Sequence, residues 1–243
     1  MPITAKNSKT PLYFQLKEQI KSDILGGKYK EGDLLPSERE FQQHYNISST
    51  TIRRALNDLV QDHYLERKPG RGTFVKLPKI TRNLRKVIGF TRNILEMGMT
   101  PVTKVLSLDT IPANLYSRER LGLKKEEKIY QLKRLRFANE TPILFEERYI
   151  RADLCPSLEE QNLTSSLWHV FESVYGMRPI RHLQSVTLTE VTAETAGLLQ
   201  IPAESTAFLI RGMTYISDNT PIECEQSIYR TDKYDLTFEA ELD

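Results

Sequence analysis

The sequence predicts an α+β protein of two parts, a small mainly helical N-terminal module and a larger module built on an antiparallel sheet. Three observations predict this division. Apolar residues repeat at helical spacing near the N-terminus, and a basic, glycine-rich turn between two short strand-like runs follows them. Two long hairpin patterns, with the turns "NETP" and "DNTP", come later in the chain. A length of 243 residues suits one large or two small domains.

The composition is that of an ordinary globular protein, with 39% apolar and 27% charged residues. No apolar run reaches the ~18 residues that a membrane helix needs. The N-terminal "MPITAKNSKTPLY" lacks the apolar core of a signal peptide. The two cysteines, Cys155 and Cys224, have no metal-like spacing. We therefore expect a reduced, cytoplasmic protein with no membrane segment.

Charge is spread unevenly along the chain. Residues 1–78 hold 13 Lys or Arg and 9 Asp or Glu, a net charge of +4. Residues 79–243 hold 21 and 23, a net charge of −2. A basic module followed by an acidic one fits nucleic-acid binding by the first.

The segment "PLYFQLKEQIKSDILGG" predicts the first helix. Pro11 suits the start of a helix, and the pair Gly26-Gly27 suits its end. Apolar residues recur at helical spacing between them: Leu12, Leu16, Ile20 and Ile24.

Two further helices are predicted close together. The second starts at Ser37, because Ser37 and Glu40 have the spacing of a capping box, and it stops near Tyr45. The third follows after two or three residues with Ser48 as its N-cap. Its buried stripe is formed by Ile52, Leu56, Leu59 and Val60. Two helices joined by a tight turn predict a helix-turn-helix.

The third helix, in "NISSTTIRRALNDLV", has unusual polar residues. At about 100° per residue, Thr50 and Arg54 point farthest from the apolar stripe, and Thr51 and Arg53 flank it. Its first turn carries the hydroxyls of Ser48, Ser49 and Thr50. Free N–H groups there favour a phosphate, and arginine can bind guanine in a major groove. A DNA-reading helix and a capped surface helix with two solvated arginines both remain possible from this stretch alone.

The segment "YLERKPGRGTFVKL" predicts two short strands, at 64–65 and 73–75, joined by a basic turn. Gly70 and Gly72 allow the backbone to approach another surface closely, and Arg71 lies between them. An arginine at the tip of such a wing suits a minor groove. A nucleotide-binding glycine loop is disfavoured, because no helix follows the glycines.

The run "LLPSEREFQQHYNISSTTIRRALNDLVQDHYLERKPGRGTFV" resembles the winged helix-turn-helix DNA-binding domain of the GntR family of bacterial transcription regulators. The resemblance covers roughly residues 10–76. It implies DNA contacts from these positions: Arg39 on the second helix, Ser48, Thr51 and Arg53 on the third, and Gly70, Arg71 and Gly72 in the wing. Ser49 stands where many relatives have a base-reading arginine, which implies a different operator sequence, with Arg54 as a candidate replacement.

Residues 77–88 are expected to be a linker with four positive charges. Beyond it, 127–150 and 205–230 each predict strand, turn, strand, and both hairpins carry Thr-Pro-Ile just after the turn. Two similar hairpins in one antiparallel sheet are therefore expected. The further predictions are strands at 102–111 and 182–191 and helices at 116–122, 165–175 and 193–200.

Arg134 and Arg136 are two residues apart on a predicted strand, so they share a face. Buried arginines need anionic partners. Glu146 and Glu147 across the hairpin are one source, and a bound phosphate or carboxylate is the other. Serines 165 and 166 at a helix N-terminus favour the bound anion.

Residues 81–238 resemble the ligand-sensing (UTRA-type) domain of the HutC subfamily, which has a chorismate-lyase-like fold. The similarity lies in "FTRNILEMGMTP", "LKRLRFANETPILFEERYI", "TSSLWHVFE" and "IECEQSIYRTDKY", and it is greatest to repressors of N-acetylglucosamine utilisation, which sense a hexosamine 6-phosphate. It implies phosphate binding by Phe90, Thr91, Arg134, Arg136 and Ser166, and sugar contacts from Glu146, Glu223 and Tyr229. Gly89 and Trp168 depart from relatives that have a hydroxyl and a Tyr there, so a phosphorylated sugar is a firmer expectation than an amino sugar.

The sequence is compatible with three functions. A homodimeric, ligand-controlled regulator would read a pseudo-palindromic operator in double-stranded DNA and be released by a small anionic metabolite. A lyase-like enzyme would leave the N-terminal module unexplained, and the sequence has no nucleophile motif. A constitutive DNA-binding protein would ignore metabolites. No metal or cofactor is expected, since His44, His63, His169 and His182 lack metal-ligand spacing.

Overall fold

The computed structural model describes residues 10–83 and 88–238. The chain divides into two compact units, Met1–Lys79 and Ile80–Asp243. No helix within the described ranges is both long and apolar enough to cross a membrane.

The first unit is a winged helix-turn-helix. Its helices are α1 (Leu12–Leu25), α2 (Glu38–Tyr45) and α3 (Ser49–Gln61). Two short strands, β1 (Leu65–Lys68) and β2 (Gly72–Val75), pair antiparallel to form the wing.

Local capping sets the helix boundaries of this unit. The predicted capping box is present: the Ser37 side chain accepts from the Glu40 backbone, and the Glu40 carboxylate accepts from the Ser37 backbone. Ser48 caps α3 by accepting from the Thr51 backbone. Asn46 ends α2 in the left-handed conformation, with φ of 52°. The N-cap residues Ser37 and Ser48 lie outside the helices, so α2 begins at Glu38, one residue after the predicted start.

The core of the first unit follows the predicted apolar stripes. The buried residues on the three helices are Leu16, Ile20, Ile24, Phe41, Ile52, Ala55, Leu56 and Leu59. Val60, predicted within the stripe, is only partly buried and packs against the edge of this core. The large apolar area removed from water holds the helices at fixed angles and so fixes the direction of α3.

The second unit consists of two copies of the same order of elements: helix, strand, helix, strand, strand. The first copy runs α4 (Phe90–Glu96), β4 (Pro101–Pro112), α5 (Leu115–Leu121), β5 (Lys128–Ala138) and β6 (Thr141–Arg151).

The second copy follows a short 3-10 helix at Leu158–Glu160. It runs α6 (Leu167–Tyr175), β7 (Pro179–Glu190), α7 (Ala193–Leu199), β8 (Thr206–Ile216) and β9 (Pro221–Arg230).

The six long strands form one antiparallel sheet in the order β4-β5-β6-β9-β8-β7. The two predicted hairpins, β5–β6 and β8–β9, are confirmed, and β6 and β9 meet at the centre. Because Glu147 lies opposite Gln226 there, Glu146 of the first copy and Glu225 of the second occupy equivalent positions. The repeated Thr-Pro-Ile lies at the start of β6 and of β9.

Several predicted boundaries shift by a few residues. The predicted strands at 102–111 and 182–191 are β4 and β7, which is displaced towards the N-terminus by up to three residues. The helix predicted at 165–175 begins at Leu167 with Ser166 as N-cap, so Ser165 lies outside it. Helix α4 was not predicted from the sequence.

A separate two-stranded ribbon joins the ends of the second unit. Strand β3 (Ile80–Asn83) pairs in parallel with β10 (Tyr234–Thr237). Part of the segment 77–88, expected to be linker, is therefore a strand of the second unit. Residues 84–87 of that segment lie outside the described residues.

Candidate functional site

The first candidate site is the surface formed by the start of α3 and the wing. The predicted arginines Arg39, Arg53, Arg54 and Arg71 are all exposed there. Exposed guanidinium groups are available to the phosphates and base edges of a large partner.

Glu38 holds two of the arginines of this surface. Nη2 of Arg53 lies 3.0 Å from Oε2 of Glu38, and Nη2 of Arg67 lies 3.7 Å from Oε1. The hydrogen bond to Glu38 raises the pKa of Arg53. A carboxylate on the first turn of α2 thus fixes the direction of an arginine that α3 presents.

The first turn of α3 presents its hydroxyls together. The Ser48 and Thr51 hydroxyl oxygens are 2.8 Å apart, and the Ser48 oxygen accepts from the Thr51 backbone N–H. Ser49 is half-buried beside them. This arrangement can donate hydrogen bonds to a phosphate at the helix N-terminus.

Arg54 lies against the first helix. Its guanidinium carbon is 3.8 Å from the centre of the Tyr13 ring, a stacked cation–π contact. Arg54 remains the predicted replacement for an arginine at position 49, and in the structure its guanidinium packs on a ring of α1.

The wing tip is a tight turn that depends on glycine. The backbone N–H of Arg71 donates to the Lys68 carbonyl oxygen at 2.9 Å. Gly70 and Gly72 have φ of 70° and 117°, values that other residues rarely adopt. A Cβ at Gly72 would also lie 2.6 Å from the Leu34 side chain. The turn thereby presents Arg71 at the tip.

The second candidate site is a cavity on one face of the six-stranded sheet. The residues that line it are Arg82, Ile88, Gly89, Phe90, Thr91, Arg134, Arg136, Arg148, Ser166, Leu167, Trp168, His182, Glu225 and Tyr229. Its free volume is about 30 Å³, room for a water molecule or two. Four of the lining residues are arginines, so the cavity favours an anion.

A buried ion network forms the floor of the cavity. Arg134, fully buried, donates to Glu146 from Nε and to the Leu163 carbonyl from Nη1 at 2.9 Å. Arg148 is shared between the two copies, since it pairs with Glu146 of β6 and with Glu223 and Glu225 of β9. The separations are 3.1, 2.8 and 3.0 Å, respectively.

Opposing effects set the charges of this network. Burial alone would raise the pKa of Glu146, but the positive charges of Arg134, Arg148 and Arg136 lower it to about 2. Burial lowers the pKa of Arg134 to about 10 against the attraction of Glu146. Both groups are therefore charged at neutral pH, and the floor of the cavity is an array of ion pairs.

Arg136 lies beside the start of α4. Its Nη2 donates to the Thr91 hydroxyl at 2.7 Å, and its guanidinium carbon is 4.6 Å from the Phe90 ring centre. Its buried Nε has no hydrogen-bond partner among residues 10–83 and 88–238. A buried N–H without a partner is costly, so this donor suits an incoming acceptor.

The opposite wall of the cavity belongs to the second copy. Oε1 of Glu223 accepts from the Trp168 indole at 2.9 Å and from the Thr214 hydroxyl at 2.8 Å. Oε2 of Glu223 is buried and finds no hydrogen-bond donor within the described part of the chain. His182 lies edge-on to Trp168, with ring centres 5.3 Å apart.

Seven of the nine predicted effector-binding residues line the cavity: Phe90, Thr91, Arg134, Arg136, Ser166, Trp168 and Tyr229. The other two, Glu146 and Glu223, lie behind its lining, where they hold Arg134, Arg148 and Trp168. Glu147, the other predicted partner of Arg134 and Arg136, instead contacts Gln131 and Lys133.

Sequence reasoning missed Arg82, Arg148, His182 and Glu225. Arg148 and Glu225 had a signal, because each lies two residues from a predicted glutamate on the same strand and so shares its face. Arg82 and His182 had none, since distant strand pairing brings them to the cavity. The part of the chain that the structure describes holds no cluster of three or more side chains suited to a metal ion.

Comparison with known proteins gives a family for each unit. Residues 12–75 match the bacterial regulatory proteins of the gntR family, and residues 96–235 match the UTRA domain. The HTH-type transcriptional repressor NagR of Bacillus subtilis (strain 168) is 33% identical over 94% of both chains. The mannosyl-D-glycerate transport/metabolism system repressor MngR of Escherichia coli (strain K12) is 28% identical, over 95% of this chain and 96% of its own length. The crystal structure of PhnF from Mycobacterium smegmatis superposes with a TM-score of 0.75 at 25% identity, covering 93% of this chain and 99% of its own.

Proposed function

The chain belongs to the GntR family of bacterial transcription regulators and carries a UTRA domain, and from this premise we propose that it is a repressor released from operator DNA by a phosphorylated sugar. Glucosamine 6-phosphate and N-acetylglucosamine 6-phosphate are the first candidates. The family makes it a regulator and not an enzyme. The proposed assembly is a cytoplasmic homodimer that reads the two halves of a pseudo-palindromic operator.

The environment of Arg136 is the main support for an anionic effector. Arg136 presents a buried, unpartnered Nε among the described residues, next to Thr91 in the cavity. Ser166, the N-cap of the nine-residue helix α6, faces the same space with no side-chain cap bond. An arginine, a hydroxyl and a helix N-terminus together suit a phosphate group.

The sugar half of the proposal has separate support. Trp168 and Tyr229 offer aromatic walls in the cavity, and Glu225 places a carboxylate in its lining. Such groups suit sugar hydroxyls or an amine. Mannosyl-D-glycerate and fructoselysine, which the names of two relatives contain, are sugar derivatives.

The edge of the sheet supports a homodimer. Strand β7 is the last strand of the sheet and exposes the apolar side chains Ile180, Leu183, Val186 and Leu188. An edge strand with exposed apolar residues is a ready surface for a second copy. Leu188→Asp is expected to shift the sedimentation of the protein towards the monomer, and an unchanged sedimentation profile would remove β7 from the interface.

Thermal melting against a ligand panel tests the effector. The panel holds glucosamine 6-phosphate, N-acetylglucosamine 6-phosphate, glucose 6-phosphate, the unphosphorylated sugars and inorganic phosphate. A ligand present at 100 times its Kd adds about 2.7 kcal/mol to the folded state. We expect a rise in Tm with phosphosugars only, and its loss in Arg136→Gln. A flat panel, or an equal shift in Arg136→Gln, contradicts the proposal.

Operator binding tests the first unit independently. Arg53→Ala is expected to lower specific affinity by about 1–3 kcal/mol per lost base contact. Arg178→Ala, an exposed arginine of the second unit, serves as the control with unchanged affinity. Wild-type affinity in Arg53→Ala would exclude Arg53 from base reading.

A further inference from the structure

Arg82 lies in the cavity wall without a complete set of partners. It is 8% exposed and lines the cavity beside Tyr229. Its side chain hydrogen-bonds Tyr234, but its buried Nε meets no acceptor in the described ranges. A buried guanidinium N–H left unpaired costs free energy unless a ligand supplies an acceptor.

The strand that carries Arg82 is short and pairs with β10. In β3, Ile80 and Arg82 are buried while Thr81 is exposed, so both inward side chains depend on this short strand. Its four residue pairs with β10 form a ribbon separate from the six-stranded sheet. A two-stranded ribbon of this length is marginal by itself, so contacts of its side chains strongly affect its order.

The same strand follows directly on the first unit. Ile80 is the next residue in the chain after Lys79, where the first unit ends. A change in the order of β3 therefore acts on the segment that connects the two units covalently.

The cavity is small and partly open to solvent. Its enclosed free volume is about 30 Å³, so a hexose phosphate seated there would press against the side chains of its walls. The floor is fixed, because Arg148 pairs with Glu146, Glu223 and Glu225 in the central strands. The wall formed by Arg82 belongs instead to the β3–β10 ribbon, which is separate from those strands.

We propose that Arg82 is an effector-binding residue whose contact with an acceptor group of the ligand orders the β3–β10 ribbon and thereby couples the cavity to the first unit. The inference rests on the proposed function, since it needs an effector in this cavity. Arg82 is not among the DNA-binding or phosphate-binding positions predicted above, and the β3–β10 ribbon is a further connection from the cavity to the first unit.

The test separates binding from coupling in the full-length protein, with glucosamine 6-phosphate as the probe. Binding is measured by the fluorescence of Trp168, the single tryptophan, which lines the cavity. Ordering is measured by hydrogen exchange of the β3 and β10 backbone amides. In the wild type we expect bound ligand to slow this exchange about 5- to 150-fold, the usual range of coupling between sites.

Arg82→Gln is expected to weaken binding about tenfold or more, as one charged hydrogen bond is lost. At saturating ligand, its ribbon amides should exchange as fast as in the free protein. Arg118→Gln is the matched control: Arg118 on α5 also has a buried Nε without a partner among the described residues, but it lies outside the cavity lining. This variant should bind the ligand with wild-type affinity, and bound ligand should slow exchange of its ribbon amides as in the wild type.

Each alternative outcome has a distinct meaning. Wild-type protection of the ribbon in saturated Arg82→Gln would overturn the coupling role, and wild-type affinity would overturn the contact. A wild type that binds the phosphosugar without slowing ribbon exchange would overturn this inference alone. A wild type that does not bind the phosphosugar would overturn the proposed function and this inference with it. If Arg82→Gln does not fold, Arg82→Met is used, since it keeps an apolar stem and has no donor, and undiminished protection there overturns the proposal.

Discussion

The two copies within the second unit follow one order of elements, yet they place different side chains at equivalent positions. Glu146 of the first copy lies opposite Arg134 on the neighbouring strand. Glu225 of the second copy lies opposite Gly212. His182, from the edge strand β7, reaches over that glycine to Glu225, with Nε2 at 3.3 Å from Oε1.

The difference makes a cavity with two unlike sides from one repeated scaffold. The first copy supplies Arg134 and Arg136, and the second supplies His182 and the glutamate-bound Trp168. This asymmetry would orient the proposed effector, with its anionic end towards the arginines of the first copy.

The largest expected effect comes from breaking the first copy. Arg134→Ala removes the fully buried partner of Glu146 and is expected to reduce the free energy of unfolding by about 3–5 kcal/mol. Urea denaturation measures the change. Lys133→Ala, the next residue on the same strand but partly exposed beside Glu147, should cost less than about 1 kcal/mol. Equal losses in the two variants would show that burial of the pair has no special weight.

The central carboxylates of the two copies, Glu146 and Glu225, predict that the folded state loses stability in acid. Burial raises the pKa of Glu146, but the surrounding arginine charges outweigh it and lower this pKa to about 2. Burial likewise raises the pKa of Glu225, but the charge of Arg148 and the hydrogen bond from His182 lower it below its usual value. Both pKa values rise towards about 4.5 on unfolding. Stability is therefore complete above about pH 4.5 and is lost as the pH falls towards 2, by a few kcal/mol or more.

Urea midpoints at pH 6, 4.5 and 3.5 measure this loss. Glu225→Gln should make the dependence shallower, while Glu172→Gln, at an exposed position, should leave it as in the wild type. A midpoint that does not change with pH in the wild type would contradict the assignment of these charges.

A smaller effect is expected from filling the space that distinguishes the second copy. A Cβ at Gly212 would lie 2.7 Å from Glu225 Oε1 and 2.9 Å from the His182 ring. Gly212→Ala should therefore cost about 1–3 kcal/mol by overpacking. Gly197→Ala is the matched control, because its Cβ would meet nothing within 4 Å and it lies in helix α7. That variant should be neutral or stabilised by about 0.5–1 kcal/mol, and a similar loss in both would refute the close approach.

The smallest expected effect tests His182 itself. His182→Gln removes the ring that contacts Glu225 and lies edge-on to Trp168, at a cost of about 1 kcal/mol. The emission of Trp168 should change at the same time. An unchanged emission spectrum would contradict the contact between the two rings.

Local chemistry explains how much of this structure the sequence could predict. The capping box at Ser37, the N-cap at Ser48 and the two hairpins depend on neighbouring residues, and all are confirmed. The shared face of Arg134 and Arg136 follows from the period of a strand. These features need no knowledge of distant pairing.

The features that were not predicted depend on distant segments. Strand β3 pairs with β10, more than 150 residues later in the chain, so no local pattern separates it from a linker. His182 comes to Glu225 only because β7, β8 and β9 are neighbours in the sheet. Glu146 and Glu223 lie behind the cavity lining because their carboxylates bind Arg134, Arg148 and Trp168. These contacts join distant segments, so no local pattern predicts them.

The small enclosed volume of the cavity, about 30 Å³, has a kinetic consequence for the proposed effector. If the effector enters only when a wall opens, the observed rate of association rises with ligand concentration only until it equals the rate of opening. The speed of the response to a sudden supply of effector would then be set by the fold and not by the size of that supply.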